Sequence, residues 1–123
     1  MSQQTTTNKV AVRCNVNQSE NAPEFAIALC KSVLSAARVR WSDAHVSEYF
    51  EGAAYDILVS LDVNLPHESA AIYQLMWGDQ QSWMDGTAAS SEQMSFRKPD
   101  TPLNSFMAER MVKGIFASID VDF

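Results

Sequence analysis

Apolar and polar residues alternate one for one in three separate stretches of this chain. In residues 55–63, Tyr55, Ile57, Val59, Leu61 and Val63 fall on one parity, and Asp56, Leu58, Ser60 and Asp62 on the other. Side chains alternate faces along a strand, so this period of two predicts a β-strand with one buried and one wetter face. Residues 9–16 repeat the pattern: Val10, Val12, Cys14 and Val16 share a face opposite Lys9, Ala11, Arg13 and Asn15. Ala71, Tyr73, Leu75 and Trp77 do so again, with Ile72, Gln74 and Met76 behind them. Residues 65–69, with Pro66 unable to donate to a ladder, form the turn between the second and third of these stretches and predict an antiparallel hairpin.

Elsewhere the period is helical. Asn21 is placed to cap a helix over residues 22–38, with Pro23 and Glu24 in its first turn. Phe25, Ile27, Ala28, Leu29, Val33, Leu34 and Ala37 supply its apolar stripe. Residues 39–41 read as a short edge strand or a turn. Ser42 or Asp43 then caps a second, shorter helix to about Ala53, with Val46, Tyr49 and Phe50 on one face; a strand across residues 44–50 is the competing reading. Residues 80–84 extend the hairpin past a bulge or end it. Residues 85–100 keep no period and read as one long loop. A last helix starts at Thr101 and Pro102 and turns Leu103, Phe106, Met107, Met111, Ile115 and Ile119 inward. The economical assembly is α+β: a two-layer α/β sandwich, with a small, mostly antiparallel sheet and two long helices packed on one face. The 123 residues suit a single domain, with residues 1–8 frayed.

Composition narrows the function more by exclusion than by assignment. Nine basic residues against 15 acidic ones leave a net charge of −6, a field that opposes nucleic acid and anionic membranes. No apolar run reaches the ~20 residues of a membrane span. The N-terminal residues lack the basic start and apolar core of a signal peptide, so a cytoplasmic location is expected, or a periplasmic one had a signal been removed. Cys14 and Cys30 read as small buried hydrophobes; a disulfide between them requires strand and helix to bring their Cα atoms within bridging distance.

No phosphate-binding glycine loop and no G-x-S-x-G elbow occurs, and no cofactor is implied. His45 and Glu48 share a face only if their segment is helical, and two ligands fall short of a metal site, so no metal is expected. What remains is surface. Arg13, Asp56, Leu58, Ser60, Asp62, Ile72, Gln74 and Met76 lie on the sheet face away from the helices, an apolar patch rimmed by charge that fits a partner contact. Tyr73, Trp77, Asp79, Trp83 and Arg97 are the residues of a second candidate, a pocket between the hairpin end and the 85–100 loop. The leading expectation is a non-enzymatic interaction module that self-associates, as a dimer, or binds another protein. The alternative is a small-molecule-binding protein or small enzyme. The order of strand, long helix, YDILVSLDV strand, returning strand and late helix is similar to the general plan of the N-terminal domains of TolB-type periplasmic accessory proteins and of curli-secretion-type lipoproteins. The resemblance implies binding and assembly; no diagnostic motif is shared and no membership follows from it.

Overall fold

The computed structural model describes residues 8–98, 100–121 and 123, so the expected fraying of residues 1–8 lies outside the described residues except at Asn8, whose carbonyl accepts from the His45 amide at 2.8 Å and is not frayed. Three long strands form where the alternation predicts them: β1 (Lys9–Asn17), β3 (Ile57–His67) and β4 (Ala70–Gly78). Val10, Val12, Val59, Leu61, Val63, Ala71 and Leu75 are all buried on the helix side. β1 and β3 run parallel, with Cys14 opposite Leu61; β3 and β4 form the antiparallel hairpin, with Leu61 opposite Leu75. The hairpin register slips between Asn64 and His67, where Pro66 interrupts the ladder.

Helix α1 (Pro23–Arg40) runs to the residue before Trp41, so residues 39–40 are its last turn rather than an edge strand. Asn21 does not cap it. The cap position is Ala22, and Asn21 instead donates from Nδ2 to the Leu65 carbonyl at 2.7 Å, tying the helix entry to β3. The segment after Trp41 departs from the helical expectation. Residues His45–Glu48 form strand β2, parallel to β1, so that β1, α1 and β2 make a β-α-β unit. Val46 is its only buried residue. A strand this short carries too little alternation to separate it from one helical turn.

The hairpin ends in α2 (Gln80–Asp85), not in further strand. Asp79 caps it, accepting from the Ser82 amide at 2.7 Å, and Gly86 closes it in the left-handed conformation at φ 71°. The expected long loop contains two short strands, β5 (Ala89–Ser90) and β6 (Met94–Arg97), both antiparallel to β4. Four strand residues in β6 show only two inward side chains, Met94 and Phe96, which is why no period was visible. The last helix, α3 (Ser105–Ser118), begins later than Pro102 suggests: Asn104 caps it through Oδ1 to the Met107 amide at 3.1 Å. It buries Ala108, Met111, Val112 and Ile115, whereas Phe106 is 77% exposed and off the inward face.

The result is α+β: a six-stranded open sheet in the order β2-β1-β3-β4, then β5 and β6 side by side along β4. Three of its five pairings are antiparallel. α1 and α3 pack on one face and against each other. Trp41, 3% exposed, plugs the end of this layer: its Nε1 donates to the Val121 carbonyl at 2.7 Å, and its ring meets Phe116 and Phe123 at 5.5 and 4.7 Å.

Candidate functional site

The sheet face away from the helices is less open than the alternation suggests. Ala11, Leu58 and Ser60, all on this face, are 2%, 3% and 0% exposed. Two elements supply the cover. Trp83 reaches from α2 onto β3, its indole N–H donating to the Leu58 carbonyl at 3.1 Å. Arg13 lies between aromatic rings, its guanidinium carbon 5.2 Å from the Trp83 ring centre and 5.7 Å from that of Tyr49, which in turn meets Tyr55 edge-on at 6.1 Å. Arg13 Nε donates to Ser60 Oγ at 3.0 Å, and Asp62 Oδ1 accepts from Asn15 Nδ2 at 3.0 Å and from Ser60 Oγ at 3.4 Å. These groups answer one another. Leu58 and Ser60 are therefore not available to a partner, while Asp62, Ile72, Gln74 and Met76 stay partly exposed. Asp56 sits before β3 and ties the start of β1 to it, its carboxylate accepting from the Lys9 amide at 2.7 Å.

Replacing Trp83 with phenylalanine is expected to lower stability by about 1–2 kcal/mol, because the indole donor to Leu58 goes and the cation–π contact weakens. Urea denaturation measures this; an unchanged midpoint would mean that the Arg13–Trp83 cover contributes nothing.

The second candidate set is not brought together. Tyr73 and Trp77 face the helix layer, where burial pushes the Tyr73 hydroxyl above its ordinary range. Asp79 caps α2 and Trp83 lies within it. Arg97 pairs with Ala70, at the far end of β4 from Gly78, and at about 3.3 Å per residue this separation is roughly 26 Å. Of the five residues only Trp77 lines the cleft that does form beside β5 and β6, about 430 Å³ and bounded also by Ser91, Glu92, Met94 and the end of α3.

The Asp79 carboxylate has a definite role. Its hydrogen bonds from Ser82, backbone first, hold its carboxyl below the ordinary carboxylate range. A depressed folded value stabilises α2 above the unfolded value, and that contribution is lost as pH falls through the folded one. Exchange of the Ser82 amide should therefore accelerate as pH drops below about 4, after correction for intrinsic rates. Asp79→Ala should exchange fast at every pH; a pH-independent wild type would refute the role.

Among the described residues no three histidine, cysteine or acidic side chains gather as a metal site. His45 and Glu48, three apart on a strand, point to opposite faces. No helix among them is long and apolar enough to cross a membrane.

The alternation alone could not reveal the feature that now stands out. Cys14 of β1 and Cys30 of α1 are joined by a disulfide, with their Cα atoms 5.5 Å apart, and no free cysteine remains. The expectation of two free buried thiols is corrected: Cys14 falls on the helix-facing parity of β1, and Cys30 lies on α1 directly over it. The bridge borders a cleft of about 610 Å³, which opens where β2 stops and β1 continues, among Leu34, Glu48, Tyr49, Phe50 and Glu51.

Such a mixed sheet, backed on one face by two helices, defines an α+β sandwich class. Among solved structures the chain is similar to PelC from Paraburkholderia phytofirmans, crystallised as a dodecamer in two space groups: TM-scores 0.61 and 0.58, 13% and 12% identity, 90% of this chain and 86% of the other in both cases. A Xanthomonas campestris protein of family DUF330 is similar at TM-score 0.50 and 9% identity, over 92% of this chain and 81% of that one. At these identities the likeness is one of fold. Neither a protein-family profile nor a curated protein sequence matches the chain.

Proposed function

We propose that this chain is a non-enzymatic assembly module that builds a homo-oligomer of more than two copies. The observation that carries this reading is the sheet's pair of unlike margins, β2 with the tail of β1 on one side and β5 with β6 on the other, neither paired with a further strand among the described residues. Unlike margins favour head-to-tail contacts, and head-to-tail contacts generate rings when the rotation closes. The fold shared with PelC, crystallised as a dodecamer, supports a ring over the dimer expected from composition and surface alone. The Cys14–Cys30 bridge supports an oxidising compartment such as the periplasm over the cytoplasm. Asp62, Ile72, Gln74 and Met76 are left as the part of the outer face open to a further protein partner.

Native mass spectrometry with light scattering is the test. A particle several times the 13.7 kDa protomer is the expected result, and a monomer at all concentrations would overturn the reading. The cleft beside Trp77 favours a second reading, small-molecule binding, which the same spectra would reveal as a protomer carrying constant added mass.

A further inference from the structure

We infer that the cleft beside the tail of β1 binds a small zwitterion: an α-amino acid or short peptide with both terminal charges free and an apolar side chain. The inference does not depend on the oligomeric state. The cleft opens because β2 flanks β1 only along residues 9–12, whereas β3 flanks it as far as Asn17. Its volume of about 610 Å³ falls within the roughly 300–1,000 Å³ of small-molecule sites. Arg13 and Lys31 line it, and so do Glu48 and Glu51. Among the described residues none of these four makes an ion pair, with one another or elsewhere. Two charges of each sign thus share one cleft without being spent on each other.

Arg13 is the best prepared of the four. Its Nε donates to Ser60 Oγ, and the rings of Trp83 and Tyr49 flank its guanidinium. Among the described residues no protein acceptor takes its two terminal nitrogens. A guanidinium held in place with terminal N–H groups to spare suits a carboxylate, which it can meet with two parallel hydrogen bonds.

The ligand class follows from the balance of charge. An anion drawn to Arg13 and Lys31 would meet Glu48 and Glu51, and beyond them a protein of net charge −6. A cation drawn to the glutamates would meet Arg13 and Lys31. A molecule that carries both charges answers both pairs, and having no net charge it is not repelled by the protein as a whole. Its apolar part has a wall to rest on: Leu34 is half-buried, and Phe50 is 65% exposed. The Cys14–Cys30 bridge ties β1, which carries Arg13, to α1, which carries Lys31 and Leu34. The cleft is therefore shaped before a ligand enters, and less ordering entropy is lost on binding.

Isothermal titration calorimetry of the full chain with leucine, leucyl-leucine, leucinamide and N-acetylleucine is the test. Leucine or leucyl-leucine should bind roughly tenfold or more tightly than leucinamide, which lacks the carboxylate, and than N-acetylleucine, which lacks the ammonium. The tighter of the two zwitterions separates a free amino acid from a peptide as the source. Glu48→Gln with Glu51→Gln, both at exposed positions, should abolish the preference over N-acetylleucine and keep the preference over leucinamide. Arg13→Met should do the converse; the glutamate variant carries the test if Arg13→Met does not fold. Absence of binding by both zwitterions at millimolar concentration, equal binding of all four compounds, or preferences that the glutamate variant leaves unmoved would overturn the inference. None of these results bears on the assembly reading, which native mass decides.

Discussion

Leu61→Ala is expected to destabilise the protein by about 3 kcal/mol, within the 2–5 kcal/mol typical of a buried leucine cut to alanine. Leu61 is 0% exposed on the central strand, with Cys14 opposite it on β1 and Leu75 on β4, both facing the helix layer. Neighbours on two strands and a helix layer above cannot all close in, so the cavity persists and adds to the lost transfer energy. A domain of this size has roughly 5–15 kcal/mol in total, so one substitution removes a fifth or more of it. Thermal unfolding should fall by about 10 °C. Val39→Ala is the control: Val39 is 80% exposed at the end of α1, and its replacement should stay within about 0.5 kcal/mol. A Leu61→Ala loss below 1 kcal/mol, measured by urea denaturation, would mean that β3 does not sit at the centre of the core.

The same strand explains how much of the fold was legible. Long half-buried strands announce themselves because many residues must satisfy one parity; β1, β3 and β4 each did so. α1 and the body of α3 were legible through the same logic at a helical period. What failed was short. β2 buries one residue, Val46, and β6 two inward side chains, so local pattern could not reveal that either would pair. Their partners are distant: β2 finds β1 across α1, and β6 finds β4 across α2. Such pairing is decided by an edge needing cover, which no window of ten residues contains.

The candidate surface was half legible for a related reason. Parity correctly put Arg13, Leu58, Ser60 and Asp62 on one face, since facing follows from the strand itself. It could not say that Trp83, more than twenty residues on, would fold back over Leu58 or that Arg13 would lie between two aromatic rings. Likewise Asp79 and Arg97 fall in one candidate pocket on sequence alone, one at the hairpin end and the other in the aperiodic segment. Once that segment runs back along β4, they lie at opposite ends of a nine-residue strand. That β1 outruns β2 after Val12 was invisible until β2 was known to stop at Glu48.

Breaking the Cys14–Cys30 bridge is expected to cost about 3 kcal/mol, since it closes a separation of 16 residues and chain-entropy estimates for such loops lie near that value. The variant Cys14→Ala with Cys30→Ala isolates the effect, because it leaves no thiol to form a wrong pair. Its urea midpoint should fall while the slope stays close to that of the wild type, and reductant should lower the wild type toward the variant but leave the variant unmoved. A thiol titration of the native, unreduced protein should find no free cysteine; finding two, or a stability difference below 1 kcal/mol, would remove the bridge from this account. On the assembly proposed above, its loss should act on association as well as on folding. With α1 no longer tied to residue 14, the tail of β1 keeps β3 on one side and, among the described residues, no strand on the other. Association should weaken in the double variant beyond what its loss of stability explains, visible as a higher dissociation concentration at temperatures where the protomer is still fully folded.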